Sequence, residues 1–173
     1  RRSSDLAVLF GYSLTKRFTD YSHFFLGLAL GLAPLGAWIA VVESLAWTPV
    51  LLSAGVILWV AGFDVLYSCQ DYEIDVEDRG LHSLPKRFGI AGAMRLARTI
   101  HAGAIAFFLL FWWGSPLGLL SLLGVAMIAV LLRHQHSLVS PRDLSRINAA
   151  FFTTNGVISV LFLLIVFLDV MVV

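Results

Sequence analysis

The chain holds 173 residues, 59% of them hydrophobic and only 13% charged, with a formal net charge of +1 and a mean hydropathy of +0.87. A soluble domain carries about 25% charged residues, so this composition excludes a soluble globule and defines an integral membrane protein. The single cysteine, Cys69, excludes an intramolecular disulfide and is expected to pack as a small apolar side chain near a helix end.

The chain opens Arg-Arg-Ser-Ser-Asp without Met, and its first apolar stretch, 6–12, is too short to span a bilayer. That stretch reads as the last turns of a helix that begins upstream, so the chain is expected to be the later part of a longer protein. Longer apolar runs follow at 24–42, 49–69, 99–113, 117–132 and 149–168. A helical span takes about 17–25 apolar residues, so the third and fourth runs need their flanking residues to cross. The expected fold is an all-α, polytopic transmembrane bundle of five spans, forming one membrane domain over 1–173. Gly27 and Gly31 form a small-xxx-small pair that favours close helix contact. Trp38, Trp47, Trp112 and Trp113 fall near span ends, where aromatic belts form, while Trp59 lies mid-span and is expected to pack.

The basic residues check this count. All 12 fall in three segments: Arg1, Arg2, Lys16 and Arg17; then Arg79, Lys86, Arg87, Arg95 and Arg98; then Arg133, Arg142 and Arg146. The connections at 43–48 and 114–116 carry none. Five spans predict this alternation, and the positive-inside rule puts the basic loops in the cytoplasm, with the C-terminus outside.

Three polar groups fall on the side of the basic loops. In the first, Lys16 and Arg17 stand beside hydroxyls, where they either bind a phosphate or carboxylate or anchor a helix at the headgroups. In the second, Asp64-Val-Leu-Tyr-Ser-Cys-Gln-Asp71-Tyr-Glu-Ile-Asp75 closes an apolar run. Residues four apart share a helix face, and Asp64 returns to nearly the same stripe, so the three carboxylates form a column. Carboxylates are hard oxygen ligands suited to Mg²⁺, which bridges them to substrate phosphates. The segment then turns loop-like and basic towards Lys86 and Arg87, with glycine and proline breaking the helix. Acid beside base fits a metal–diphosphate complex. A solvated loop of mixed charge is the alternative, and for the deeper Asp64 the alternative is a hydrogen bond to a neighbouring helix. In the third group, His134 and His136 are expected to be solvated beside arginines rather than to bind metal. Asn155, inside the last run, either joins two helices or touches substrate.

Together these motifs resemble those of the UbiA superfamily of intramembrane prenyltransferases. Tyr67-Ser-Cys-Gln-Asp71-Tyr-Glu-Ile-Asp75, followed by Gly80-Leu-His-Ser83, is similar to the second aspartate-rich motif of that family. Gly11-Tyr-Ser-Leu-Thr-Lys16-Arg17-Phe-Thr19 is similar to its Tyr-Pro-x-x-Lys-Arg segment. The resemblance runs along essentially the whole chain, in order, and is nearest to the 4-hydroxybenzoate polyprenyltransferase branch. It implies part of a nine-helix bundle around a cavity that opens to lipid. It also implies Mg²⁺ as cofactor, held by Asp71 and Asp75, which are the expected catalytic residues. Lys16 and Arg17 would bind diphosphate or an acidic acceptor, and Asp64, Tyr67 and Asn155 would line the substrate site. The family's first aspartate-rich motif is absent from these residues, so half of the metal site is expected from further N-terminal helices of the same protein.

The implied reaction moves a polyprenyl group from polyprenyl diphosphate to a small aromatic acid such as 4-hydroxybenzoate, in quinone biosynthesis. The expected setting is the inner (plasma) membrane of a bacterium, with the active-site loops cytoplasmic. No nucleic acid is expected as a partner. A naphthoate-type acceptor in menaquinone synthesis is the nearer alternative. A non-enzymatic transporter or scaffold, with the aspartates lining a cation path, is the more distant one.

Overall fold

A computed structural model of the protein describes residues 18–78 and 80–172. Its helices are α1 (Ser22–Val42), α2 (Trp47–Tyr67), α3 (Tyr72–Glu77), α4 (Leu84–Trp113), α5 (Leu119–Ser137) and α6 (Thr154–Val172). A 3-10 turn, Ser68–Asp71, joins α2 to α3, and a π-helical turn, Ala149–Thr153, precedes α6. No β-strand forms among the described residues. Among the described residues five segments are long and apolar enough to cross a membrane, the second running through α2 and α3 and the fifth through the π turn and α6. The expected all-α bundle of five spans is what the described residues form.

Helix α2 is the hub. It packs against α1 on one side and α4 on the other, while α5 and α6 pair with each other. The α1–α2 contact is made by the predicted glycine pair: a Cβ on Gly27 would lie 2.5 Å from the Ile57 carbonyl oxygen, and one on Gly31 would meet Ile57 itself. On the other side of α2, the ring of Phe108 sits over Gly55 and that of His101 over Gly62. Backbone approach of this kind holds membrane helices together, because lipid tails compete for ordinary apolar contacts. Cys69 is buried and its thiol donates to the Val65 carbonyl, as a small packing residue does. Trp47 and Trp113, at the start of α2 and the end of α4, are exposed at the same end of the bundle, as an aromatic belt requires.

The third span differs from its sequence reading. The stretch after Arg79 is expected as a loop, yet α4 begins at Leu84 and carries Lys86, Arg87, Arg95 and Arg98 within it. Ser83 caps it, accepting from the Lys86 amide at 3.3 Å, and Pro85 stands in the first turn, where a missing N–H costs nothing. The break falls instead at Gly89, whose φ of 70° kinks the helix. A left-handed φ there suits glycine and strains any other residue. In the loop before α6, the hydroxyl and amide of Ser145 hold the Asp143 carboxyl below the usual carboxylate range.

Candidate functional site

The acidic motif is not one straight helix. Alpha-helical geometry stops at Tyr67, tightens to 3-10 over Ser68–Asp71 and resumes at Tyr72. The spacing of Asp71 and Asp75 therefore crosses a 3-10/α junction, and the single column drawn from 3.6 residues per turn is corrected to three differing environments. Asp64 is buried and accepts a 2.7 Å hydrogen bond from Nδ1 of His23 on α1. Asp71 is half-buried at the end of the 3-10 turn. Asp75 is 2% exposed, and its Oδ2 has no hydrogen-bond partner among the described residues.

The neighbouring cations are occupied by the fold. Lys86 Nζ donates to the carbonyls of Asp78 (2.7 Å) and Leu81 (2.8 Å), tying the α3–α4 loop down. Arg87 pairs with Asp20 at 3.1 Å, and His82 approaches the same carboxylate at 3.4 Å. These contacts fasten the start of α4 to the segment entering α1. Lys16 and Arg17 lie outside the described residues.

Tyr67 stacks on Phe151 with ring centroids 4.2 Å apart and meets Phe152 edge-on at 6.2 Å. The π turn places both phenylalanines there, and such turns recur at functional sites. Asn155 joins two helices: its Oδ1 accepts from Gln135 Nε2 at 3.3 Å, and the same nitrogen donates to the Ala150 carbonyl at 2.7 Å. Asn155 Nδ2 and Gln135 Oε1 stay unpartnered among the described residues. Towards mid-membrane, a cavity of about 230 Å³ opens where all five long helices converge, lined by Pro34, Leu52, Trp59, Phe108, Ile128 and Phe162 among others. It is almost wholly apolar.

One of the two expected solvated histidines departs from its expectation. His134 is exposed, but His136 is half-buried at the end of α5 and meets Nδ1 of His101 through its Nε2 at 2.9 Å. A helix continuing to Ser137, rather than a solvated connection, turns His136 inwards. His23, His101 and Gln135 were not legible as partners, because single polar residues inside apolar runs give no sign of what they face.

Among the described residues no group of three or more His, Cys, Asp or Glu side chains could hold a metal ion. Asp75, with a buried oxygen unpartnered among the described residues, and the half-buried Asp71 nevertheless fit Mg²⁺ in kind, since that ion is bound through one or two carboxylates plus substrate phosphates and water.

Residues 5–166 match the UbiA prenyltransferase family, so the chain belongs to that family. A 4-hydroxybenzoate octaprenyltransferase of Salmonella paratyphi B is 30% identical over 91% of this chain and 54% of its own length. A mitochondrial 4-hydroxybenzoate polyprenyltransferase of Arabidopsis thaliana is 40% identical over 50% of this chain and 21% of its own. The apo structure of a UbiA homolog from Aeropyrum pernix K1 superposes with a TM-score of 0.80 at 28% identity, covering 95% of this chain and 61% of that one. The chain thus spans about half the length of the octaprenyltransferase and less than two thirds of the solved homolog.

Proposed function

We propose that this chain is the later portion of a membrane prenyltransferase that moves a polyprenyl group from polyprenyl diphosphate to an aromatic acid such as 4-hydroxybenzoate. The observation that carries this reading is Asp75, a buried carboxylate with an oxygen unpartnered among the described residues, one turn from Asp71 at the end of the second span. A buried charge left partly unsatisfied is costly, and an incoming cation removes that cost. Asp71 and Asp75 would hold Mg²⁺, which when bound offsets the negative charge that grows on the departing diphosphate. The remaining carboxylates of the site would come from further helices of the same protein.

The chain's own side chains supply the rest. Lys16 and Arg17 would bind the diphosphate or the carboxylate of the acceptor, as fork and point-charge donors do. The bond from the allylic carbon to oxygen breaks, a bond from that carbon to the ring forms, and the ring proton leaves with diphosphate as the second product. Tyr67, held by Phe151, would offer its aromatic face to the developing allylic cation. Asp64, oriented by His23, would face the same space, and Asn155 would hold α6 against α5 so that the Phe151 pair stays in register. The apolar cavity takes the prenyl tail and keeps water from the cation. The bacterial plasma membrane, with the aspartate end cytoplasmic, is the setting this reading assigns.

The test is transfer of labelled polyprenyl groups by the full-length gene product in liposomes with Mg²⁺, offered 4-hydroxybenzoate and a dihydroxynaphthoate separately. A prenylated benzoate is the expected product. A prenylated naphthoate moves the acceptor assignment, and no product with either acceptor overturns the reading.

A further inference from the structure

A second cavity, of about 670 Å³, lies between α4 and α5. Ile105 and Leu132 form its floor and also belong to the apolar cluster shared with α2 and α6, while Arg98, Ala102, Arg133 and Ser137 of its lining are exposed. The cavity therefore opens outwards between α4 and α5.

Its mouth is cationic. Arg98 and Arg133 line it, both exposed, and neither has an ion pair or a hydrogen bond among the described residues. They stand at one level: counted from Trp113 along α4 and from Leu119 along α5, each is roughly 21–22 Å from the far end of its helix. A hydrocarbon core is about 30 Å thick. The backbone positions of Arg98 and Arg133 thus fall short of a full crossing, and their guanidinium groups either snorkel outwards to the headgroups or draw an anion down to them.

The wall of the cavity adds a polar contact. The Trp59 carbonyl can only accept, so Nε2 of His101, 3.2 Å away, donates to it. The Nδ1 of a neutral His101 then accepts from Nε2 of His136 at 2.9 Å. This leaves Nδ1 of His136 as an acceptor, buried and without a partner among the described residues. Two paired cations, an apolar trough and one lone acceptor match an anionic lipid that also carries a hydroxyl. Basic pockets between transmembrane helices recognise such headgroups.

We propose that the α4–α5 cleft binds an anionic, hydroxyl-bearing phospholipid of the phosphatidylglycerol class, with its phosphate between Arg98 and Arg133 and an acyl chain along Ala102, Ile105 and Ala129. The headgroup hydroxyl donates to Nδ1 of His136. This site is separate from the aspartate motif, and occupancy fastens two helices that otherwise pack only loosely against each other.

Native mass spectrometry of the purified protein, titrated with phosphatidylglycerol and phosphatidylcholine of equal chain length, tests this. The expected result is at least a tenfold preference for phosphatidylglycerol, falling to less than twofold in R98Q/R133Q and unchanged in R142Q, which removes a loop cation outside the cleft. H136F is expected to weaken phosphatidylglycerol selectively against phosphatidic acid, which has no headgroup hydroxyl. A wild type without lipid preference overturns the proposal with no variant needed. An R142Q loss equal to that of the double variant also overturns it, by reducing the effect to general surface charge. Displacement of phosphatidylglycerol by 4-hydroxybenzoate or inorganic diphosphate would make the cleft a substrate site and overturn the lipid assignment.

Discussion

Asp75 and Asp169 are the same residue at the same exposure, 2% each, yet the fold treats them in opposite ways. Asp169, near the end of α6, accepts from the Gly118 amide at 2.7 Å and the Ser121 hydroxyl at 2.6 Å. Gly118 is the N-cap of α5 and has no side chain to close that end. The α6 carboxylate therefore caps α5 from outside, where the positive end of the helix dipole favours an anion. Asp75 keeps an oxygen with no partner among the described residues. A carboxylate that the fold alone requires is closed by protein donors. One kept open at the same exposure is what the proposed metal site would use.

The comparison breaks most visibly at Asp75. In the full-length product, D75N should lower prenyl transfer by more than 1000-fold while leaving the melting temperature unchanged or higher, because an uncompensated buried charge is removed. Near-normal turnover in that variant would make Asp75 a second structural carboxylate and end the contrast. Chelation by EDTA should copy the loss of activity and restore it on Mg²⁺ addition, and D71N should raise the Mg²⁺ concentration needed for half-maximal rate. D169N should show the reverse pattern: a melting temperature lower by several degrees, read by thermal unfolding in detergent, with kcat within about twofold of wild type. The double variant should show both effects unaltered, since distant sites add.

Much of this was legible from the chain. Runs of apolar residues and the alternation of basic loops locate five spans, because the bilayer imposes length and charge rules on every membrane helix. Gly27 and Gly31 announced the α1–α2 contact for a similar reason, since small residues at that spacing allow backbones to touch. The acidic motif was found, but its shape was not. Nothing in Ser68-Cys-Gln-Asp71 signals that the helix tightens to 3-10 there, and a one-turn change of winding redirects every carboxylate beyond it. Lys86 and Arg87 read as free cations near the acids, yet their partners, Asp20 and the Asp78 and Leu81 carbonyls, become neighbours only through the turn capped by Ser83. His101 and Asp169 were silent for a related reason. Each is a lone polar residue in an apolar helix, and its partner lies on another helix.

The smallest effect gives the finest test of the contrast between the two aspartates. Ser121 is in the first turn of α5 and supplies the side-chain donor to Asp169. S121A removes that hydroxyl but leaves the Gly118 amide in place. The lost hydrogen bond to a charged acceptor contributes roughly 1.5 kcal/mol, and the better helix propensity of alanine returns about 0.5 kcal/mol. A net loss of about 1 kcal/mol should therefore appear in thermal unfolding, smaller than the loss in D169N. Equal losses in the two variants would mean that the amide contributes nothing and that Asp169 is a side-chain partner rather than a cap. A fall in kcat with S121A would be more damaging. It would couple the far end of α5 to the aspartate motif, and the closed carboxylate could no longer be set apart as purely structural.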